Sequence, residues 1–96
     1  MSKDRTKGHA HHEVVELKFL EKISRRLPED LEVLLAVAEL YTKTGKYEEG
    51  LAIDLKLSQL LQNDGLIWYN LGCSYALTNQ LDEAFDALAK AIELGY

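Results

Sequence analysis

Residues 65–96 decide the fold, and they read GLIWYNLGCSYALTNQLDEAFDALAKAIELGY. When the chain is shifted by 34 residues, this stretch lies over residues 31–62, which read LEVLLAVAELYTKTGKYEEGLAIDLKLSQLLQ. Residues of similar size meet along the alignment, and identical residues meet at five positions. The identities are Tyr41 with Tyr75, Thr44 with Thr78, Glu49 with Glu83, Lys56 with Lys90, and Leu60 with Leu94. A fixed period of this length indicates small structural units stacked one on the next.

The spacing of apolar residues predicts two helices in each unit and one more helix before them, because apolar side chains recur every three to four positions. The predicted helices cover residues 13–27, 31–44, 47–62, 66–77 and 82–94. Pro28 ends the first helix, Asp30 is placed to cap the second, and Gly45 is a natural stop for it. Short connections require neighbouring helices to pack antiparallel. The predicted fold class is all-α.

Six residues of the second unit, whose size or shape matters for packing, stand at fixed offsets from one another. They are Trp68, Leu71, Gly72, Tyr75, Ala84 and Ala91. This pattern resembles the tetratricopeptide repeat (TPR) family, and the resemblance covers residues 13–96. It implies antiparallel helix pairs stacked as a short right-handed superhelical array of five helices. Residues 13–28 would form a half repeat, residues 31–64 a first repeat and residues 65–96 a second, after a flexible tail over residues 1–12.

The third helix departs from the family pattern. Asp54 stands where the family usually has a large apolar residue, and Leu57 stands where it usually has alanine. Two questions therefore stay open at this stage: whether Leu57 or Ser58 continues the apolar stripe, and whether Ile53 or Leu55 takes the core position that Asp54 would otherwise occupy.

The resemblance also implies a function, that of a non-catalytic module for protein–protein interaction that binds a peptide or helix in a concave groove. The family's groove positions fall on Leu35, Glu39, Thr42, Lys43, Tyr69, Asn70, Cys73, Ala76 and Leu77. One subgroup of the family holds acidic C-termini with a clamp of basic and amide side chains. Asn70 matches one position of that clamp, but Leu35 and Glu39 replace two others. We therefore do not expect this chain to bind as that subgroup does.

Self-association is the alternative. Each unit of a repeat array offers an apolar face to the next unit, so the last helix pair is expected to expose one. We expect that face to include Trp68, Leu71, Leu88, Ala91 and Leu94. A second copy would cover it in a symmetric homodimer. The other explanation for such a face is that the chain continues in a longer protein.

Charge and composition narrow the classes of partner. The chain has 16 acidic and 11 basic residues, for a net charge of −5. Its one basic cluster is Lys18, Lys22, Arg25 and Arg26, which we interpret as a solvated helix face. Nucleic acid is not an expected partner, because phosphate binding needs a basic surface. No run is long and apolar enough for a membrane span. A single cysteine favours a cytoplasmic setting.

The sequence offers no catalytic constellation and no cofactor motif. The carboxylates Glu48, Glu49, Asp82 and Glu83 stand at predicted helix starts, where they favour the helix dipole. His9, His11 and His12 could hold a metal weakly, but a structural site needs four fixed ligands. We therefore predict no catalytic residue, no cofactor and no metal.

Overall fold

The structure, a computed structural model, describes the backbone of residues 2–96 and the side chains of residues 11–96. Residues 2–96 form five α-helices and no strand, which confirms the all-α prediction. The helices are α1 (Ser2–Arg26), α2 (Leu31–Lys43), α3 (Tyr47–Leu60), α4 (Gly65–Leu77) and α5 (Leu81–Glu93). Helices α2 to α5 begin and end within two residues of their predicted bounds.

The first helix is longer than the sequence pattern indicated. Its predicted start at Glu13 is wrong, because α1 already begins at Ser2. The flexibility of residues 1–12 stays a prediction. The side chain of His9 lies outside the described residues, whereas His11 and His12 are exposed on α1. The end of α1 at Arg26 agrees with the stop expected from Pro28.

Equivalent aspartates begin the first helix of each unit. The backbone N–H of Val33 donates to Asp30 Oδ1 at 3.0 Å, and that of Leu66 donates to Asp64 Oδ1 at 3.0 Å. Each carboxylate satisfies an N–H group that has no partner within the helix, and its charge suits the positive end of the helix dipole. The predicted cap at Asp30 is confirmed, and Asp64 repeats it 34 residues later.

Equivalent turns also join the two helices of each unit. Gly45 and Asn79 adopt positive φ angles of 78° and 63°, the left-handed conformation that glycine takes without strain and asparagine tolerates. The hydroxyls of Thr44 and Thr78 donate to the carbonyl oxygen four residues earlier, at 2.7 and 3.0 Å. The chain reverses direction at both places by the same hydrogen bonds, so paired helices run antiparallel.

The core consists of three apolar clusters that follow one another along the stack. Leu17 joins Val37 and Leu40 in the first, Leu34, Ala38, Leu57 and Ile67 form the second, and Leu51, Leu71 and Ala87 form the third. Half-buried Ile53 packs against the first and second clusters. Each cluster therefore ties together consecutive helices, as expected of an array in which every unit contacts its neighbours.

The two questions about α3 have clear answers. Leu57 is 1% exposed and fills the core, while Ser58 is also buried beside it. Ile53 packs inward and Leu55 is exposed. Asp54 is not rotated out of the interior but is itself buried, at 5% exposure. The helix therefore keeps the register that the repeat predicts and carries a carboxylate in that position.

Small residues allow the two helices of the second unit to pack closely. A Cβ atom added at Gly72 would lie 2.8 Å from Cγ of Leu88 and 3.3 Å from the carbonyl oxygen of Ala84. Contacts that short are repulsive, so α4 and α5 can approach to this distance only with glycine at position 72. The role predicted for Gly72 and Ala84 is confirmed.

A hydrogen bond fixes α1 against α2. The hydroxyl of Tyr41 donates to Oε2 of Glu21. Burial, followed by the hydrogen bond and the negative charge of Glu21, raises the pKa of Tyr41 to about 12. The half repeat is thus joined to the first full unit by a polar contact as well as by the cluster around Leu17.

Candidate binding groove

Helices α2 and α4 each present one face to the core and a different face to an open groove. On α2, Leu34 and Val37 point to the core, whereas Leu35 and Glu39 lie on the groove side. Residues three to four positions apart share a helix face, so the groove side continues along the helix at Thr42 and Lys43. Helix α4 is the first helix of the second unit, as α2 is of the first, and its groove side forms the opposite wall.

The groove encloses a cavity of about 500 Å³ between α2 and α4, with α3 beneath it. Its lining residues are Leu35, Ala38, Glu39, Thr42, Lys43, Asp54, Asn70, Cys73, Ser74 and Leu77. Seven of the nine residues predicted from the sequence are in this set. Tyr69 and Ala76 are not, although both are exposed on α4. A cavity of this volume is within the range of sites that bind small molecules or peptide side chains.

The rim of the groove combines apolar side chains with one ion pair. Leu35 on α2 and Leu77 on α4 are 38% and 45% exposed, so each offers apolar surface to an incoming group. On the same rim Lys43 Nζ lies 3.5 Å from Glu39 Oε2, one helical turn away. Because both side chains are more than half exposed, this ion pair contributes little to stability and can exchange for contacts with a partner.

The floor of the groove is polar and buried. Asp54 reaches it from α3, and the hydroxyl of Ser74 on α4 donates to Oδ2 of that carboxylate. Burial raises the pKa of Asp54 above its ordinary value of 3.8, while the hydrogen bond from Ser74 lowers it in part. The pair links the two units across their interface and places a hydrogen-bond acceptor at the base of the cleft.

Sequence reasoning missed three lining residues, Ala38, Asp54 and Ser74. A signal for one of them was present, since Asp54 is a carboxylate at a position where the repeat pattern calls for an apolar side chain. Its pairing with Ser74, twenty residues later, depends on how α3 and α4 pack. Within residues 11–96 no group of three or more His, Cys, Asp or Glu side chains could hold a metal ion.

Tyr69 makes a different contact from the one expected. Its ring stacks on that of Tyr96, with centroids 4.5 Å apart and an angle of 16° between the planes. A Cβ atom at Gly65 would lie 3.2 Å from Cβ of Tyr96, so the start of α4 lies close against this tyrosine. Tyr69 therefore occupies the end of α4 nearest Tyr96, beside the groove and not within its cavity.

The apolar face expected at the last helix pair lies elsewhere. Leu71 and Ala91 are 2% and 1% exposed, so the expectation that they form an exposed surface is wrong. Trp68, Leu88 and Leu94 are half-buried, and Trp68 and Leu71 line a second cavity of about 360 Å³ beside α3 and α5. The most exposed large apolar side chains of α5 are instead Leu81, Phe85 and Ile92. Among the described helices, none has the length and apolar character to cross a membrane.

Comparison with known families supports the interpretation of the repeat. Residues 65–95 match the family model described as tetratricopeptide repeat. The matched segment is the second helix pair, and the five-helix stack of the whole chain fits a helical repeat of this type. A search of curated proteins gives no match to the chain.

Proposed function

We propose that this chain, which contains a tetratricopeptide repeat at residues 65–95, is a non-catalytic module that binds a peptide or helix in the groove between α2 and α4. Repeats of this family generally mediate protein–protein interactions. The observation that carries the proposal is the cavity of about 500 Å³ on the face shared by α2 and α4. It has exposed leucines at its rim and a hydrogen-bond acceptor at its floor.

The lining indicates the kind of segment that would bind. Leu35 and Leu77 lie on opposite walls and suit an apolar side chain between them. Glu39 at the rim and Asp54 at the floor can accept hydrogen bonds, so they suit a donor on the peptide next to that apolar side chain. An amphipathic segment with one apolar anchor and an adjacent donor satisfies both requirements.

The same lining favours binding over catalysis. Cys73 is the one nucleophilic thiol there, and no histidine is among the lining residues to act as its base. An activated thiol also needs nearby positive charge that is not already neutralised. Lys43, the cation of the lining, is paired with Glu39. We accordingly assign no reaction to this cavity.

The composition of the chain supports a cellular compartment and a class of partner. One cysteine and no disulfide partner favour the cytoplasm. A net charge of −5, with acidic residues in excess throughout residues 31–96, favours a protein or peptide over nucleic acid.

The proposal can be tested with a peptide-display library selected on the immobilised full chain. Selected peptides would be titrated against wild type, Leu35→Ala, Leu77→Ala and the control Leu60→Ala, with affinity measured by fluorescence anisotropy. Leu60 is a suitable control because it is also 38% exposed but does not line the cavity. Loss of an apolar anchor contact should weaken binding by about tenfold or more in Leu35→Ala. Leu60→Ala should bind as wild type does.

Two results would overturn the proposal. One is the absence of any peptide that binds the wild type above background. The other is a set of peptides whose affinities are equal for wild type, Leu35→Ala and Leu77→Ala, since these would bind at another surface.

A further inference from the structure

The outer face of α5 is apolar and uncovered. Leu81, Phe85 and Ile92 are 56%, 69% and 73% exposed and share one face of the helix, beside the face that carries the buried residues Ala84, Ala87 and Ala91. Aromatic and aliphatic side chains clustered in this way on a small protein usually mark an interaction surface. We call these three residues the α5 stripe.

The repeat itself indicates what covers such a stripe. A shift of 34 residues places Phe85 on Leu51 and Ile92 on Ser58. Those two residues of α3 are buried at 8% and 5%, and Leu51 packs against Leu71 of α4. Tyr47, the counterpart of Leu81, is 38% exposed, so two of the three positions of the α5 stripe are covered one unit earlier by another helix of this chain.

Acidic residues border the α5 stripe. Asp82, Asp86 and Glu93 are all exposed on α5, and Lys90, the only cation of that helix, is paired with Glu93 at 3.5 Å. A helix that covers the stripe must therefore be apolar along its centre and positively charged beside it.

The outer face of α1 has this character. Val15 and Phe19 are 57% and 63% exposed and lie on the side opposite Leu17, which is 1% exposed. Lys22 and Arg26 continue the same side of the helix, and neither forms an ion pair within residues 11–96. We call these four residues the α1 stripe. Both stripes are apolar, but the α1 stripe carries positive charge whereas the residues that border the α5 stripe carry negative charge.

We propose that copies of this chain associate head to tail, the α1 stripe of one copy covering the α5 stripe of the next. The two stripes lie on the first and last helices of the stack, where α1 packs against α2 and α5 packs against α4. This association is independent of the groove, because neither stripe contributes a residue to the cavity between α2 and α4.

Charge favours this arrangement over a symmetric dimer. Pairing two α5 stripes would bring Asp82, Asp86 and Glu93 of one copy near the same acids of the other, and pairing two α1 stripes would bring cations together. Contact between unlike surfaces is heterologous, and it propagates into longer assemblies unless the rotation between copies closes a ring. We therefore expect the mass to rise with concentration beyond that of a dimer, and to fall as salt screens the charges.

Two blocked variants of the full chain distinguish the possible arrangements. Phe19→Asp blocks the α1 stripe and Phe85→Asp blocks the α5 stripe, at two phenylalanines of similar exposure. The molar mass of each, and of their equimolar mixture, would be measured by sedimentation velocity and light scattering from micromolar to millimolar concentration. Circular dichroism would confirm that both fold. Leu60→Ser, on α3, is the control and should associate as wild type does.

Head-to-tail association predicts that each blocked variant alone is a monomer and that the mixture forms a 1:1 pair that grows no further. In that pair the intact α5 stripe of Phe19→Asp meets the intact α1 stripe of Phe85→Asp. The proposal is overturned if the wild type stays monomeric up to millimolar concentration or if the mixture stays monomeric. It is also overturned if Phe19→Asp alone forms a stable dimer, which would show symmetric pairing through α5, or if Phe85→Asp alone does so through α1.

Discussion

The two units of this chain agree at their ends and differ along their faces. Residues 31–62 and 65–96 are each preceded by a capping aspartate, which accepts from the N–H three residues on at Asp30 and two residues on at Asp64. They also share the threonine turn before the second helix, with matching hydrogen bonds. Even the left-handed residue is kept, as Gly45 in one turn and Asn79 in the other. The chain therefore repeats itself where it begins a helix or reverses direction.

Along the helix faces, the second helices of the two units have opposite character. Asp54 and Ser58 are polar and buried on α3, whereas their counterparts on α5 are apolar Leu88, half-buried, and Ile92, exposed. The reason is position in the stack: α4 covers α3, and no helix among residues 2–96 covers the equivalent face of α5. Caps and turns define the repeat, while each face depends on what lies against it.

The largest expected difference between the units concerns Leu57 and its counterpart Ala91. Both are 1% exposed, but Leu57 fills the second apolar cluster with a large side chain. Leu57→Ala should lower the free energy of unfolding by about 2–5 kcal/mol, because it removes buried apolar surface and leaves a void. Urea denaturation followed by circular dichroism measures this.

Leu60→Ala, three residues further along α3 and exposed, is the control and should cost far less. If Leu57→Ala were equally mild, alanine would serve at this position in both units and the contrast between them would disappear.

The glycines offer a contrast of intermediate size, because they lie on different helices in the two units. A Cβ atom at Gly72 would lie 2.8 Å from Leu88, whereas one at Gly50 would make an ordinary contact of 3.4 Å with Cβ of Tyr41. Gly72→Ala should destabilise by about 1–2 kcal/mol, since overpacking outweighs the better helix propensity of alanine. Gly50→Ala should stabilise by about 0.5–1 kcal/mol.

The two substitutions change the same atoms, so each is the control for the other in thermal or urea unfolding. If both substitutions changed the stability by the same amount and in the same direction, the helices of both units would be separated by the same distance. That result would contradict the structure.

The smallest expected effect is the pH dependence that Asp54 gives to the first unit. Burial raises the pKa of its carboxyl in the folded chain, so the folded state binds a proton more tightly than the unfolded state does. Protonated Asp54 therefore stabilises the fold at low pH. That contribution is lost as pH rises from the ordinary value of 3.8 through the raised value.

Asp54→Asn removes this loss because the amide does not titrate. Its stability relative to wild type should therefore increase as the pH rises from about 4 to about 7. The hydroxyl of Ser74 partly opposes the shift, so Ser74→Ala should make the pH dependence steeper than in wild type. If the difference in stability between Asp54→Asn and wild type did not change with pH, the raised pKa of Asp54 would be contradicted.

The fold could be predicted from sequence because the signals that specify it are local. Apolar spacing marks the helices, and Pro28, Asp30 and Gly45 mark three of their ends. The start of α1 could not be predicted in this way, since residues 2–12 carry no apolar stripe. A helix without such a stripe gives no periodic signal.

The residues that line the walls of the groove could be predicted from the sequence, but the polar contact at its floor could not. Residues on the open side of α2 and α4 follow from the repeat spacing, which is why seven of the nine predicted residues line the cavity. The Asp54–Ser74 contact and the burial of Leu71 and Ala91 depend on how three helices meet. Such contacts are set by packing between residues far apart in sequence, which a periodic pattern does not encode.

The only tryptophan of the chain stands at the junction between its two units. The indole N–H of Trp68 donates to the carbonyl oxygen of Gln62 at 2.8 Å, across the turn that joins α3 to α4. Indole emission depends on its surroundings, so the fluorescence of Trp68 reports on the contact between the two units. A change in that emission that precedes the loss of helical circular dichroism would report the second unit detaching from the first before either unit unfolds.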